Sequence, residues 1–591
     1  MRIGEVEQQT GLPRKTIRFY EAKGLLAVER SENAYREYDE AMVKRLKSIA
    51  LMRRAGISIA DMQLWTDGVI TTQEMLRKRL HELKNSVDTA ADQVKLCRNL
   101  LAGYDFESLF GDLRDLSEED TPDNADRCAA ENGPTLLGID IGTTTISAVV
   151  LDIQTHKTVG VYTIASGADL PKEAPFAKTQ DAAGIMERVQ KLIDALLHRC
   201  PTITAVGFTG QMHGIVYMDL TGELLSPLYT WEDSRAGAVY GGVSGSTCDH
   251  IRETTGWVVP PGYGLATHID LLRHDRVPKK AAKIATIMDY AVCRLTGKPE
   301  PLCHVTNGAS LGFFTPEGTF DIASLAKLSM DPAILPECTA ENRIIGTYRG
   351  IPVAVAIGDN QASFFGSAQH PTSAALINFG TGSQITMSTE GENGGKIPFQ
   401  ATPEIEIRPY LHGQYLLSGS ALCGGRAYAL LESFFRTYSI ACGLPDTEQY
   451  ELMNKLAAES IAAGEHLHVE TTFCGVRSDH TVRGAITQIG EENLKPGALI
   501  AGVLFGMAEE LHGMFSVMPN DGIRELVVSG NAVRKNPALR MVLRQVFGLP
   551  IVIPVHREEA AYGSALFAWQ TIEPNADLSD FYTYTTEKEE K

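Results

Sequence analysis

The sequence predicts a multi-domain chain with an all-α helix-turn-helix unit at the front, one long dimerisation helix behind it, and a larger α/β body. Three observations predict this architecture. The 591 residues are several times what a single hydrophobic core needs. Basic side chains gather at the front, 12 against 8 acidic ones over residues 1–60, although the whole chain carries 54 Lys+Arg against 73 Asp+Glu for a formal charge of −19. Beyond residue 134, apolar runs break three times at a glycine turn, as buried strands do where they meet a loop. With 44% apolar and 21% charged residues, disordered and fibrous classes are excluded.

The front segment IGEVEQQTG places Ile3 and Val6 on one face and stops at Gly11, after which Leu12-Pro13 opens a second short helix, RKTIRFYEAKG. In that helix Ile17 and Tyr20 face inward while Arg14, Lys15 and Arg18 lie opposite, as a recognition helix requires to meet phosphates and base edges. The residues that follow, VERSENAYREYDEAMVKRLKSIALMRRAGISIADM, together with TIRFYEAKGLL, resemble the wing, second helix pair and recognition helix of the MerR family of transcription regulators. The resemblance implies a winged helix-turn-helix over 1–72, promoter DNA as partner, and DNA contacts from Arg14, Thr16, Arg18, Tyr20, Tyr35 and Arg36. Ala34 stands where that family usually has Gly before the wing Tyr-Arg.

From Leu76 the apolar positions Leu76, Leu80, Leu83, Val87, Ala90, Val94, Cys97 and Leu101 alternate spacings of four and three, an a/d seam. It predicts a coiled-coil helix over 73–108, where MerR-like proteins dimerise, and hence a homodimer through the 76–101 helix. The stretch 109–134 carries 8 acidic and 2 basic residues with no periodicity, and reads as an acidic linker. The negative total therefore belongs to the linker and the body, and does not argue against DNA at the front.

In the body, TLLGIDIGTTTISAVVLD reads as strand, Gly-Thr turn and strand, with Asp140 at the end of the first strand. ALINFGTGSQITM repeats that construction, and LVVSGNAVRKNPALRMVLRQVFGLPIVIP reads as strand, Ser-Gly turn, helix and strand, with Asn536 as N-cap before Pro537. Such turns offer backbone N–H groups to phosphate, and a nearby carboxylate suits hydrated Mg²⁺. Their order matches the phosphate and adenosine loops of the actin-like ATPase (ribonuclease H-like) duplicated fold. With TGQMHGIVYMD, PLYTWEDSRAG, IPVAVAIGDNQASFFG and EEAAYGSALFA in sequence, the segment from Leu136 to Trp569 resembles the FGGY carbohydrate kinases. DYAVCRLTGKPEPLCHVTNGASLGFF and VVSGNAVRKNP resemble the sedoheptulokinase branch more than glycerol kinase.

That resemblance implies a sugar-binding half over 135–368, a nucleotide-binding half over 369–591, and ATP-dependent phosphorylation of a ketose or polyol. Asp359, in the Gly358-Asp359-Asn360 turn after an apolar strand, takes the catalytic base position. Met212, His213, Trp231, Asp233 and Asn360 take the substrate positions. Gly142, Thr143, Thr144, Gly380, Thr381, Gly382, Gly530 and Asn531 take nucleotide positions, and Asp140 orders Mg²⁺ through water. Arg235 is open to two readings, sugar contact or internal salt bridge.

The first twenty-five residues lack the apolar core of a signal peptide, and the run ALIAGVLFGMA is shorter than a bilayer crossing. Ten scattered cysteines without a CxxC pair fit reduced thiols. The expectation is a cytoplasmic protein without membrane contact. Two functions follow: a DNA-binding regulator fused to an active kinase, or a regulator whose kinase fold only senses a sugar or sugar phosphate.

Overall fold

The computed structural model describes residues 1–26, 29–30, 36–84, 133–390, 402, 404–476, 479 and 481–585. At the front, α1 (Ile3–Thr10) ends where Gly11 takes a left-handed φ of 71°, and α2 (Arg14–Ala22) starts directly after Pro13. A wing pairs Glu29–Arg30 antiparallel with Arg36–Glu37. The helices α3 (Glu40–Arg54) and α4 (Ile59–Thr66) are N-capped by Asp39 and Ser58, whose side chains accept from Met42 N and Asp61 N. Helix α5 (Thr72–Lys84) follows. Its Leu76 is 1% exposed and Leu80 packs beside it in the chain's own core, so this first part of the predicted seam faces inward. Val87 to Leu101, and the linker up to residue 132, lie outside the described residues.

Two sheets organise the body. The first contains β1 (Thr135–Ile141), β2 (Thr145–Asp152), β3 (Thr158–Ala165), β4 (Ile203–Gly210), β5 (Ile344–Tyr348) and β6 (Ile351–Ala354), in the order β5-β6-β4-β1-β2-β3. The second contains β7 (Ala374–Phe379), β8 (Ser383–Thr389), β9 (Ile405–Pro409), β10 (Tyr415–Ala421), β11 (Glu525–Ser529), β12 (Ile551–Pro554) and β13 (Tyr584–Thr585), in the order β9-β10-β8-β7-β11-β12-β13. In each, one strand pairs antiparallel with the next in sequence and parallel with a later one: β1 with β2 and β4, β7 with β8 and β11. The two halves thus repeat one construction.

The helices that matter for the site are α6 (Ala182–Arg199), α7 (Val305–Ser310), α8 (Asp359–Ser367), α9 (Gly425–Ala441), α10 (Pro496–Val517), α11 (Pro537–Phe547) and α12 (Glu559–Ile572). Helix α12 lies backbone to backbone against the first sheet and against α8. A Cβ on Gly138 would stand 1.9 Å from Ala561 O, and one on Gly563 1.9 Å from Ala362 O. Glycine there provides room, so the chain between the lobes closes tightly. Helix α10 runs 22 residues, longer than its apolar run suggested and long enough to cross a membrane by length and composition; nine of its residues from Ala498 to Phe515 are buried in the second lobe's core, which accounts for its hydropathy. Cys248, Cys293, Cys303, Cys338, Cys423, Cys442 and Cys474 are free thiols, whereas Cys200 is disulfide-bonded, a correction to the reading of ten reduced thiols.

The front module sits on the first lobe. One apolar core runs from Val6, Ile17 and Leu46 through Leu76 to Ile164 and Leu196. Three cations pin the contact. Lys78 Nζ donates to Asp61 at 2.6 Å and to Thr163 O of β3 at 2.9 Å; Arg188 of α6 pairs with Glu74 at 2.9 Å; Arg199 donates to both Asp67 oxygens (2.5 and 2.8 Å) and to the carbonyls of Lys23 and Gln63.

Candidate active site

Parallel pairing brings the C-terminal ends of β1, β4 and β6 to one edge. Asp140 lies opposite Thr209 in register, and Ile357 N donates to Phe208 O, so the chain after each strand emerges at the same place. Open ends of parallel strands are where α/β sheets bind ligands. A cavity of about 460 Å³ opens there, bounded by Asp140, Gly142, Thr143, Met212, His213, Trp231, Asp359 and Asn360 from the first lobe and by Asn378, Gln384, Thr386 and Arg408 from the second.

The Gly142-Thr143 turn is held from below. The Thr143 carbonyl accepts from Ser166 Oγ at 2.9 Å and from Gln180 Nε2 at 2.7 Å, and its hydroxyl accepts from Trp231 Nε1 at 3.0 Å. Gln211 Nε2 donates to Gln180 Oε1, completing the network. Trp231, expected at a substrate position, is thereby tied to this turn and lines the cavity. Thr144 does not line the cavity; its carbonyl accepts from Ser166 N.

His213 occupies a left-handed backbone conformation, φ 73°, that a histidine adopts only when its surroundings hold it there. Its ring stacks on Tyr263 at 4.3 Å, and its Nδ1 lies 2.8 Å from Ser310 O. A carbonyl only accepts, so Nδ1 carries the proton and Nε2 of the neutral ring is an acceptor.

Asp359 is the first residue of α8 and accepts from Asn360 N at 2.6 Å. Burial pushes its carboxyl up to about 6, while the guanidinium of Arg408 pulls the other way. Asp140 is pushed up to about 8 by burial, then by the negative charges of Asp359 and Glu558. Asn360 crosses between the lobes, donating to Gln384 Oε1 at 2.5 Å, and its own Oδ1 is buried without a partner.

On the second sheet, Asn378 and Ser529 are paired in register, so the turns at Gly380–Gly382 and Gly530 emerge side by side. Gly530 has φ 99°, and a Cβ there would stand 2.3 Å from Phe379 O. Gly425 N donates to Gly380 O and Arg426 N to Thr381 O, bringing the N-terminus of α9 against the same turn. The hydroxyls of Ser383 and Ser529, flanking these glycines, are buried without partners. Gly380, Thr381, Gly382, Gly530 and Asn531 form this adjoining edge and do not line the cavity itself. Among the described residues no three acidic, His or Cys side chains converge to ligate one metal directly.

Two expectations are corrected. Asp233 is fully buried and does not line the cavity. It forms an ion pair with Arg235, accepting from Nε at 2.7 Å and Nη2 at 2.9 Å, and also accepts from Lys178 N. This is the internal-salt-bridge reading of Arg235. Tyr20 is 3% exposed, because three residues along a helix returns it to the inward face of Ile17. Arg14 and Arg18 are exposed and Thr16 half-buried on α2, with Arg14 paired to Glu7 at 2.6 Å. Arg36 falls in the wing strand, and Tyr35 outside the described residues. Sequence reasoning missed Gln211, Gln384, Thr386, Arg408 and Gly424-Gly425. Gln211 sits inside a motif already singled out, and the double glycine opening α9 was a legible signal.

Residues 135–375 match the FGGY family of carbohydrate kinases, N-terminal domain; residues 375–571 match its C-terminal domain; residues 1–68 match the MerR HTH family regulatory protein. The sedoheptulokinases of Mus musculus and Homo sapiens are each 26% identical, over 473 and 472 residues, covering 74% and 73% of this chain and 98% and 97% of their own. The xylulose kinase of Staphylococcus xylosus is 23% identical over 460 residues, 73% of this chain and 90% of its own. Among solved structures, a ligand-bound xylulose kinase from Lactobacillus acidophilus aligns with a TM-score of 0.63 at 19% identity, covering 77% of this chain and 93% of that one. The xylulose kinase from Rhodospirillum rubrum aligns at 0.64 and 18%, covering 76% and 94%.

Proposed function

Because the chain belongs to the FGGY family of carbohydrate kinases and carries a MerR-type helix-turn-helix at its front, we propose that it is a DNA-binding regulator that also phosphorylates a ketose with ATP. The observation that carries the enzymatic half is the meeting of Asp140, Asp359 and His213 at one sheet edge, facing the second lobe across the Asn360–Gln384 bond. Phosphoryl transfer passes through a loose transition state, so positioning and charge stabilisation supply most of the catalysis. Asp359 accepts the proton of the attacking hydroxyl. A carboxyl near 6 is ionised at neutral pH yet more basic than an ordinary aspartate, which suits that transfer. His213 Nε2 accepts from a neighbouring hydroxyl and orients the acceptor.

The crowded acidic pocket fits a divalent cation: Asp140 is raised by two further carboxylates, a repulsion that positive charge relieves. Asp140 would hold Mg²⁺ through water, and the ion when bound neutralises phosphate charge. The glycine turns at Gly142, Gly380 and Gly530, with the orphan hydroxyls of Ser383 and Ser529, suit the nucleotide. ATP consumption over a panel of ketoses and polyols, with Asp359→Asn beside the wild type, tests the reading. No turnover above that variant on any acceptor would leave a non-catalytic sensor.

The DNA-binding half rests on the exposed basic face of α2, with Arg14, Thr16 and Arg18, and on the wing at Arg36. We read the protein as a cytoplasmic homodimer through the 76–101 stripe, less Leu76 and Leu80, which pack in the chain's own core, so that two recognition helices meet a two-fold operator. A shift assay on the protein's own upstream region, with Arg18→Ala at several salt concentrations, tests it. Loss of affinity and a shallower salt slope in the variant are expected; equal binding would overturn the assignment of α2.

A further inference from the structure

A second cavity of about 290 Å³ adjoins the first and shares Met212, His213 and Arg408 with it. Its volume is roughly ten waters' share of liquid. The first lobe contributes aromatic faces, among them Trp257, Tyr263 and Phe314; the second contributes β9, an edge strand that packs on α7. The wall is built under strain: Gly312 has φ 95°, and buried Phe313 follows with φ 55°, unusual for a bulky side chain. Tyr263 is the ring on which His213 stacks, so the wall of the second cavity also fixes a residue of the first.

The polar groups here come from β9. Glu406 and Arg408, two residues apart on one strand face, form a shielded pair in which Arg408 Nε and Nη2 both donate to Glu406 Oε2, at 2.9 and 2.6 Å. The Arg408 side chain is 11% exposed. Acceptor and donor together sum to zero charge. That combination suits hydroxyl groups, which both donate and accept, and disfavours a second anionic group because Glu406 stands beside the cation. Aromatic faces beside a neutral donor–acceptor pair suit the C–H and O–H sides of a polyhydroxylated chain.

The geometry points to a distal subsite, in which Glu406 and Arg408 from the nucleotide lobe hold the far hydroxyls of an uncharged long-chain ketose whose reacting end lies at Asp359. This inference rests on the kinase reading and narrows its substrate class by length and charge. A three-carbon acceptor fills the first cavity only; a seven-carbon ketose reaches past His213 into the second.

The test is kcat/KM for glycerol, D-xylulose, D-sedoheptulose and a ketose phosphate, in wild type, Glu406→Gln, Arg408→Gln and Ala309→Leu. Ala309 lines the second cavity and carries no charge or hydrogen-bonding side chain, so the leucine changes the space by size. The wild type is expected to prefer the seven-carbon ketose over glycerol at least tenfold, and each variant to lower that ratio at least tenfold. Arg408 also lines the first cavity, but an effect on transfer common to all acceptors cancels in the ratio. A ratio within threefold of wild type in both Arg408→Gln and Ala309→Leu would overturn the subsite, as would preference for the ketose phosphate. If no acceptor is turned over, the kinase reading has failed separately. Dissociation constants for the same sugars, by calorimetry on the same four proteins, then read the subsite by the same ratio.

Discussion

Arg199 fastens the DNA-binding helices to the first lobe, and Arg199→Ala should loosen that seat by a calculable amount. The substitution removes four hydrogen bonds, two to the Asp67 carboxylate and two to the carbonyls of Lys23 and Gln63. The Arg199 and Asp67 side chains are 10% and 19% exposed, so the pair is shielded but not sealed. Breaking a buried pair costs about 3–5 kcal/mol and an exposed one at most about 1 kcal/mol. An intermediate value of about 2–3 kcal/mol follows, which converts to roughly 30- to 150-fold in the undocking equilibrium. The loss falls on docking, because Val6, Ile17 and Leu46 keep the module's own core. Hydrogen exchange on the full chain reads it: amides of α4 and of the last turn of α6 that exchange through undocking should do so faster by about that factor. Protection of residues 59–66 and 192–199 within threefold of wild type would refute the docking argument.

Other outcomes follow from the same geometry. Asp359→Asn should lower kcat by about 10²- to 10⁴-fold in a coupled ATP assay while sugar affinity changes little. With its carboxyl near 6, wild-type kcat should rise as pH climbs through 6 and level off above it; a profile flat from 5 to 8 would remove Asp359 as the base. Asp140, folded at about 8, lies above its unfolded value of about 3.9, so the native state holds the proton more tightly. Its contribution is complete below about pH 4 and is lost as pH rises to 8, so urea midpoints of the ligand-free protein should fall over that window, and less so in Asp140→Asn. Asp233→Ala strands the fully buried Arg235 and should cost about 3–5 kcal/mol in denaturant unfolding, where a sugar-contacting aspartate would cost affinity instead.

Much of this was legible in the sequence because the signals were local. The Gly11 stop, the Asn536 cap before Pro537 and the strand–turn–strand at Asp140 depend on residues a few positions apart, and each stands where the pattern put it. Asp359 and His213 were legible through their motifs, but their meeting was not, since it depends on parallel pairing of β4 with β1 and β6 across long insertions. Asp233 shows the reverse error. A carboxylate in a Trp-x-Asp-x-Arg segment looks like a ligand, and only three dimensions reveal that Arg235 folds back onto it. Arg408 gave no signal at all: an arginine on a short edge strand is ordinary until the other lobe is set against it. The stripe from Leu76 was read as a coiled-coil seam, yet Leu76 and Leu80 pack in the chain's own core, because period alone does not say whether a stripe meets a partner helix or that core.

The contact between module and lobe makes a reciprocal prediction. Lys78 donates both to Asp61 of the module and to Thr163 O of β3, and Ser166, three residues past Thr163, holds the Thr143 and Thr144 carbonyls of the turn proposed to meet the phosphates. A ligand that draws this turn toward itself therefore pulls on the strand against which α4 of the front module packs. If sugar with a non-hydrolysable ATP analogue changes DNA affinity tenfold, about 1.4 kcal/mol, then DNA must change the affinity for the sugar in the presence of that analogue by the same factor. Both factors are measurable on the full chain, by fluorescence anisotropy of labelled DNA and by calorimetry of the sugar. Lys78→Met should bring both toward one while leaving each partner able to bind. A wild-type protein that binds DNA and sugar, yet shows no change in either affinity when the other is present, would mean that the seat is rigid and the two activities are merely tethered.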